Sequence, residues 1–232
     1  MYVTNTPGVL NTSVAEHTVW LMGCLARKVA ESHQKMRIGK WEPFVGFELS
    51  GKTISIIGCG AIGRKVARIC SFGFDMNVIG FDIAELNHGQ LNKMYGISKF
   101  TRDYAEAVAE TDVVSVHLAG IRTNKHFFNE QRLKQIKKSA LFINTSRGFI
   151  VDEEALYNCL ENGHLAGTGL DVFGKEPYTP ISLRRDLRRL DNVILTPHIG
   201  SSTKEACLRM AERCVLNIGL WQKKQFKDMD LV

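Results

Sequence analysis

Six short apolar runs, separated by segments with helical spacing, constrain the fold of this chain more than any other feature of its sequence. The runs lie at residues 53–57, 77–80, 113–117, 141–144, 166–170 and 193–195, and the helical segments between them lie at 62–72, 104–110, 130–137 and 153–162. The runs lack the polar alternation that marks a strand with one solvated face. They predict an α/β fold with a doubly wound parallel sheet across residues 50–200, covered by helices on both faces.

Two further helices flank this predicted core. Residues 13–16 read S-V-A-E, the pattern of a capping box, and open a helix predicted to reach about Met36. A second capping box at residues 202–205 opens a closing helix, predicted to run to about Trp221 within the segment 202–223. The first helix carries an apolar stripe formed by Val14, Thr18, Leu21, Met22, Leu25 and Val29.

Composition argues against several classes of protein. Apolar residues make up 44% of the chain and charged residues 23%, which is ordinary for a globular domain with a full core. No apolar run is long enough to cross a bilayer, and the first ten residues lack the basic and apolar pattern of a leader. The six cysteines show no C-x-x-C spacing, so the sequence predicts reduced thiols, no metal site and a cytoplasmic location.

The chain carries a formal net charge of +6, and the excess gathers at residues 132–138 and 184–189. These clusters contain no interleaved aromatic residues, and one of them lies on a polar helix surface. Both clusters are therefore interpreted as solvated faces, and neither a nucleic-acid nor a membrane partner is predicted.

A glycine-rich turn, G-C-G-A-I-G at residues 58–63, follows the first apolar run and leads directly into a helix. In a dinucleotide-binding turn the first glycine allows the tight bend, the second lets the backbone approach a pyrophosphate, and the third lets the helix pack on the sheet. Gly58, Gly60 and Gly63 have these positions. The helix N-terminus at Ala61 and Ile62 is predicted to direct its N–H groups at the phosphates of a Rossmann-type cofactor site.

An acid follows the second apolar run at the position expected for a ribose-binding carboxylate. Asp82 lies 19 residues beyond Gly63, close to the usual spacing of roughly 20 residues. A carboxylate there would repel a 2′-phosphate, and the next residues, Ile83 and Ala84, supply no cation to attract one. The sequence therefore predicts NAD rather than NADP as the cofactor. The alternative is that Asp82 merely caps the end of a strand.

Three polar clusters follow three of the predicted strands, whose carboxyl ends meet at one edge of a parallel sheet. The clusters are N-T-S-R-G at residues 144–148, D-V-F-G-K-E-P at 171–177 and T-P-H-I-G at 196–200. Arg147, Glu176 and His198 are therefore expected on neighbouring loops at the same edge.

These three types of side chain suit hydride exchange between NAD and a 2-hydroxyacid. An arginine can hold the substrate carboxylate and polarise the carbonyl with its planar fork. A histidine can exchange the hydroxyl proton near neutral pH, and an acid beside it fixes its tautomer. Alone, Arg147 could pair with a surface acid and His198 could be a core histidine. The convergence of three loops favours the catalytic interpretation.

Together these motifs resemble the signature of the D-isomer-specific 2-hydroxyacid dehydrogenases, which include phosphoglycerate, lactate and glyoxylate/hydroxypyruvate reductases. The resemblance extends from V-T-N-T-P-G at Val3 through A-E-H-T at Ala15 to the closing helix. It implies that Arg147 binds and activates a small 2-hydroxy or 2-keto acid. It further implies that His198 is the general acid/base and that Glu176 is its partner.

The resemblance also implies a set of residues around the cofactor. Asp171 would contact the nicotinamide carboxamide. The cofactor cleft would be lined by His117, Leu118, Thr145 and Gly200. The remaining histidines have no partner motif and are expected to be structural or exposed; they are His17, His33, His88, His126 and His164.

Two departures from the family pattern bear on function. Leu118-Ala119-Gly120 replaces the usual x-Pro after the histidine, a change expected to alter only a loop beside the cofactor. The family also has an N-terminal substrate lobe, which this sequence is expected to lack because it starts at the segment that normally leaves that lobe. Two functions therefore stay open: an oxidoreductase domain, or a catalytically inactive NAD-binding dimeric scaffold.

The resemblance further implies a homodimer held by the helix at residues 12–36. That helix is expected to protrude from the domain, because the loop at 41–47 separates it from the glycine turn and its apolar stripe needs a partner. Leu21 and Leu25 are then expected in the seam between subunits. The alternative is that the helix folds back onto its own sheet.

Overall fold

Seven parallel strands form one sheet in the computed structural model, which describes residues 2–232. The strands are β1 (Thr53–Ile57), β2 (Asn77–Phe81), β3 (Ile97–Thr101), β4 (Val113–Val116), β5 (Leu141–Asn144), β6 (Gly167–Leu170) and β7 (Val193–Leu195). Their spatial order is β3-β2-β1-β4-β5-β6-β7. The predicted doubly wound parallel sheet is confirmed.

Eight α-helices lie along the described chain. They are α1 (Asn11–Ala26), α2 (Val29–Arg37), α3 (Ala61–Phe74), α4 (His88–Tyr95), α5 (Tyr104–Val108), α6 (Glu130–Gln135), α7 (Glu153–Glu161) and α8 (Lys204–Gln222). Successive strand residues point to opposite faces of the sheet, and both faces are buried. Phe142 packs in the core beneath α5, α6 and α7, whereas its neighbours Leu141 and Ile143 pack in the core beneath α1 and α3. This double burial explains why the central strands read as continuous apolar runs.

Helix α4 and strand β3 are absent from the sequence prediction. Strand β3 lies at the edge of the sheet, and its central residues Ser98 and Lys99 are exposed. Helix α4 buries Leu91 alone among its eight residues. An edge strand and a surface helix need little apolar sequence, so neither produces the apolar run that marks the central strands.

The single helix predicted from Ser13 to about Met36 is wrong, because it breaks between α1 and α2. Lys28 adopts a left-handed backbone conformation with φ of 50°. The carbonyl of Ala26 accepts a hydrogen bond from Phe47 N at 2.9 Å, so the returning loop satisfies the end of α1. Gly46 permits this approach, because a Cβ there would lie 2.3 Å from the Ala26 carbonyl oxygen.

The predicted protrusion of this helix is also wrong for α1, which packs against its own sheet and against α3. Leu21 is 4% exposed and lies over β6 together with Leu25. The strand makes room with two glycines: a Cβ on Gly169 would lie 3.1 Å from the Leu21 Cβ, and one on Gly167 would lie 3.4 Å from a Leu25 methyl. The structure instead shows the alternative arrangement, in which the helix folds back onto its own sheet. All nine residues of α2, by contrast, are at least partly exposed.

Both predicted capping boxes are misplaced. Helix α1 begins after Leu10, so Ser13 lies within its first turn. The Ser13 hydroxyl donates to the Gly200 carbonyl instead of capping the helix. Helix α8 is capped by Thr203, whose hydroxyl accepts from Ala206 N at 3.1 Å, rather than by Ser202. Along α8, which lies wholly within the described range, only Ala206 and Asn217 are buried.

The two basic clusters carry ion pairs at the surface. Lys137 lies 2.7 Å from Asp112, and Arg188 lies 2.7 Å from Asp186. In each pair the cation lies near the surface, whereas the Asp186 carboxylate is itself buried. Among residues 2–232, no helix combines the length and apolarity that a bilayer crossing requires.

Candidate active site

The order of the strands reverses direction between β1 and β4, and the loops that follow these two strands meet. In open parallel sheets such a reversal opens a crevice at the carboxyl ends of the strands, where ligands bind. Gly58, after β1, has φ of +104°, and a Cβ there would lie 2.6 Å from the His117 carbonyl oxygen after β4. Only glycine allows both the backbone angle and this contact, so the glycine turn is held against the β4 loop.

The glycine turn leaves open space at the N-terminus of α3. A Cβ on Gly63 would lie 2.1 Å from the Gly58 carbonyl oxygen, so this glycine lets the helix pack on the turn. A Cβ on Gly60 would meet no described atom within 4 Å. Gly60 is also the N-cap of α3 and has no side chain to occupy the first amides. The residues present therefore fit a cofactor phosphate at this helix end.

Asp82 follows β2 and binds the glycine turn directly. One carboxylate oxygen accepts from Cys59 N at 2.9 Å, and the other accepts from Ala84 N at 3.0 Å. The Cys59 thiol is buried behind the turn, and this burial, with the Asp82 charge, raises its pKa to about 12. The thiol therefore stays protonated and adds no charge beside Asp82.

His117 lies at the end of β4 and is neutral near pH 7. Burial lowers the pKa of its imidazole to about 3. Its Nε2 lies 2.8 Å from the hydroxyl of the buried Ser115. The ring is thus a fixed neutral wall of the crevice.

A cavity of about 400 Å³ lies along the carboxyl edge of the sheet. Ten of the predicted site residues line it: Gly60, Ala61, Ile62, His117, Leu118, Thr145, Arg147, Asp171, His198 and Gly200. The other four do not line it: Gly58 and Gly63 belong to the glycine turn, Asp82 is hydrogen-bonded to that turn, and Glu176 is hydrogen-bonded to His198. The structure therefore brings the glycine turn, the arginine and the histidine to a single space.

His198 and Glu176 are hydrogen-bonded to each other at the rim of this cavity. The His198 Nδ1 lies 2.7 Å from one oxygen of Glu176, and the other oxygen accepts from Phe173 N at 3.0 Å. Although partial burial opposes it, these hydrogen bonds lower the pKa of the Glu176 carboxyl. The side chains remain 45% and 37% exposed, so the Nε2 side of the imidazole is open to a ligand.

Arg147 lies exposed on the loop after β5, and its stem packs against the loop after β4. Its Nη1 donates to the Ser146 carbonyl at 2.7 Å, and the Ser146 hydroxyl donates to the Leu118 carbonyl at 2.5 Å. A Cβ on Gly120 would lie 2.8 Å from the Arg147 Cγ. The loop that carries the departure at residues 118–120 therefore also packs against the arginine. The expectation that the departure alters only a loop beside the cofactor stays a prediction.

Asp171 is 1% exposed and organises the loop that carries His198. Its Oδ1 accepts from the Thr196 hydroxyl at 2.6 Å and from Ile199 N at 2.8 Å, and its Oδ2 accepts from Gly200 N at 2.7 Å. These contacts occupy the carboxylate with groups of its own chain. A contact with the nicotinamide carboxamide stays a prediction.

Residues at the start of the chain also contribute to the cavity, and none of them was predicted as a site residue. Thr6, Gly8, Leu10 and Asn11 also line the cavity. His17, expected to be a structural or exposed residue, lies 3.0 Å from the Thr196 hydroxyl. The sequence motif A-E-H-T contains this histidine and is the feature from which its place near the site could have been predicted. Within residues 2–232, no cluster of three or more His, Cys, Asp or Glu side chains could hold a metal ion.

Known proteins share both this sequence and this fold. The chain is 40% identical over 224 residues to a glyoxylate reductase of Thermofilum pendens, an alignment that covers 94% of this chain and 64% of that enzyme. The structure of a glyoxylate reductase from Paecilomyes thermophila is 30% identical with a TM-score of 0.87, and the match covers 100% of this chain and 67% of that one. A D-lactate dehydrogenase from Aquifex aeolicus, complexed with NAD and lactic acid, is 28% identical with a TM-score of 0.88, covering 100% of this chain and 73% of that one.

A family match settles the relationship. The chain spans about 64% of the length of the Thermofilum pendens enzyme. Residues 19–200 match the family described as D-isomer specific 2-hydroxyacid dehydrogenase, NAD binding domain. The seven-stranded sheet, the glycine turn and the three loops at its carboxyl edge are thus those of an NAD-binding domain, and the chain belongs to the D-isomer specific 2-hydroxyacid dehydrogenase family.

Proposed function

We propose that this chain is the NAD-binding catalytic domain of an oxidoreductase that interconverts 2-keto acids and D-2-hydroxyacids. One observation carries the proposal: a histidine paired with a carboxylate shares a cavity with an arginine and with a glycine turn. The names of the relatives support the same class of substrate. Bound NADH would supply the hydride.

Each of the three side chains has one role in the proposed reduction. Arg147 holds the substrate carboxylate and polarises the keto oxygen. The Nε2 of a protonated His198 gives its proton to that oxygen as the hydride reaches the carbonyl carbon. Glu176 holds the Nδ1–H and stabilises the imidazolium before the transfer. The products are a hydroxyacid, NAD⁺ and a neutral imidazole, which takes up a proton from solvent.

The proposed function is tested by following NADH absorbance with glyoxylate, hydroxypyruvate and pyruvate, together with a fluorescence titration of NADH. Oxidation of NADH with at least one keto acid, abolished when the acid is omitted, is the expected result. Tight NADH binding without oxidation by any of the three would instead support the dimeric scaffold, and absence of NADH binding would contradict both.

The Asp82 carboxylate is expected to select NADH over NADPH, because a 2′-phosphate would meet its negative charge. A tenfold preference corresponds to about 1.4 kcal/mol, and we expect at least that. Paired fluorescence titrations of the two cofactors measure it. Asp82→Ser should reduce the preference, whereas Glu85→Gln, a change at an exposed acid three residues away, should preserve it. Equal affinities in the unaltered chain would contradict the assignment.

We also propose a homodimer that uses the outer face of α1, opposite the face that docks on the sheet. An apolar groove of about 870 Å³ runs along this face, and Trp20, Cys24, Val29 and Phe74 contribute to its lining. Trp20 is 71% exposed. Leu21, placed in the seam by the sequence analysis, is buried against β6 and is unsuitable as a test of assembly.

Sedimentation at micromolar concentration is expected to give twice the chain mass of 26.0 kDa. Trp20→Glu should shift the species to the mass of one chain, because a carboxylate in an apolar seam is strongly unfavourable. Trp221→Glu is the matched control: this tryptophan is 53% exposed on α8, so the dimer should persist. A single-chain mass for the unaltered protein would refute the dimer.

A further inference from the structure

The inner face of α1 carries a row of polar side chains that bind the loops of the candidate active site. The Ser13 hydroxyl donates to the Gly200 carbonyl at 2.6 Å, on the loop after β7. The Thr18 hydroxyl lies 2.7 Å from the Thr145 hydroxyl, on the loop after β5. All four residues are buried. Helix α1 therefore links the loop after β5 to the loop after β7 by direct hydrogen bonds. Without α1, these loops would be connected only through the strands of the sheet.

His17 lies between these two residues and makes the central contact of the row. Its Nε2 lies 3.0 Å from the Thr196 hydroxyl oxygen and 3.3 Å from Asp171 Oδ1. Its side chain is 18% exposed, so the ring is largely enclosed. The contact joins α1 to the loops after β6 and β7 at one point.

The hydrogen-bonding pattern determines which nitrogen of His17 carries a proton. Thr196 donates its one hydroxyl hydrogen to Asp171 Oδ1 at 2.6 Å, so it can only accept from His17. Burial raises the pKa of Asp171, but the hydrogen bonds from His17, Thr196 and the backbone outweigh it and lower the pKa below the ordinary value. Both neighbours of Nε2 are therefore acceptors, and Nε2 must be protonated and shared between them.

The groups held by His17 set the backbone of His198. His198 has φ of +55°, in the left-handed region, which a non-glycine residue adopts only at an energetic cost. The amides of the next two residues, Ile199 and Gly200, both donate to Asp171, and His198 N donates to the Thr196 carbonyl at 3.0 Å. Asp171 and Thr196 thus hold the turn that directs the imidazole.

Building on the function proposed above, we propose that His17 is a positioning residue for His198. Its Nε2–H fixes Thr196 and Asp171, and these fix the turn that aims His198 at Glu176. Among residues 2–232, no hydrogen bond joins His17 to Glu176 or to the ring of His198, so His17 acts through the turn.

Two substitutions separate the hydrogen bond from the bulk of the ring. His17→Leu fills the space but donates nothing, whereas the amide of His17→Gln can donate from nearly the position of Nε2. A small misplacement of a catalytic group can cost up to about 100-fold, so we expect His17→Leu to lower kcat roughly 10- to 100-fold. The Kd for NADH should change less than about twofold, and His17→Gln should recover most of kcat.

A spectroscopic readout makes the test independent of turnover. Because ionised Glu176 only accepts, the His198 Nδ1 carries a hydrogen that should give a downfield, hydrogen-bonded signal in ¹⁵N-edited NMR. His17→Leu should broaden or remove that signal, and His17→Gln should retain it. His33→Leu, at an exposed histidine on α2, should leave both the signal and kcat unchanged.

The outcomes separate the two proposals. If the unaltered chain reduces no keto acid, the proposed function fails, and the NMR signal still decides whether His17 holds His198 in place. An unchanged signal in His17→Leu, or a loss in His17→Gln equal to that in His17→Leu, overturns the positioning role. If His17→Leu does not fold, Thr196→Val and Thr196→Ser are compared in its place, because only serine keeps the hydroxyl. Equal His198 signals in these two variants would also overturn the positioning role.

Discussion

Replacing His198 with glutamine is expected to lower the turnover of a 2-keto acid by about 1000-fold, within the range of general acid–base catalysis. Glutamine can still donate a hydrogen bond to a substrate oxygen, but it cannot deliver a proton. Cofactor affinity should change little, because His198 lies at the rim of the cavity and the glycine turn is built by other loops. Initial rates of NADH oxidation and a parallel NADH titration measure the two effects.

Glu176→Gln provides the companion measurement. It should reduce turnover less than the change at His198, because the imidazole remains and loses only its charged partner at 2.7 Å. His33→Gln, at an exposed position, should match the unaltered chain. Turnover retained in His198→Gln would remove this histidine from the proposed mechanism.

Gly148→Ala is expected to cost about 3 kcal/mol of unfolding free energy and to lower the Tm by roughly 10 °C. The added Cβ would lie 1.8 Å from the Phe173 carbonyl carbon and 2.4 Å from Gly174 N. Both atoms are backbone, so the loops after β5 and β6 must separate. Because Arg147 is on one loop and Glu176 is on the other, activity should fall together with stability.

Gly219→Ala is the matched control for this substitution. Gly219 lies within α8, and a Cβ there would meet no described atom within 4 Å. Alanine at this partly exposed position inside a helix should be neutral or stabilise by up to about 1 kcal/mol. Thermal unfolding monitored by circular dichroism compares the two variants. A Gly148→Ala protein that melts with the unaltered chain would mean that the two loops are free to move apart.

The sequence predicted the centre of this sheet well because burial on both faces leaves a simple pattern. Strands β1 and β5, which lie inside the sheet, have the predicted bounds, and each is a short apolar run. The edge strand β3 was missed because Ser98 and Lys99 are solvated. The periodicity of apolar residues in a sequence indicates which elements are buried. It gives no indication of a strand or helix whose residues are exposed.

The errors at α1 have a different cause, because the contacts that decide them are distant in sequence. The helix ends at Ala26 because Phe47 supplies a donor, and it docks because β6 offers two glycines. His17 has no partner nearby in the sequence, since Thr196 lies 179 residues away. The proximity of Glu176 and His198 could be expected because they follow the adjacent parallel strands β6 and β7. His17 lies on a helix, so the pairing of strands gives no indication of its position.

The placement of α1 also has a consequence for the order in which the molecule acquires its structure. The hydrogen bonds of Ser13, His17 and Thr18 close chain segments of 187, 179 and 127 residues. Contacts of such separation form late, because their loop entropy is offset only after intervening strands have paired. Pulse-labelled hydrogen exchange during refolding should therefore protect β1 and β4 before α1. Until β6 and β7 have formed, the apolar face of α1 is exposed to solvent. The chain is therefore most prone to aggregation during this stage of folding.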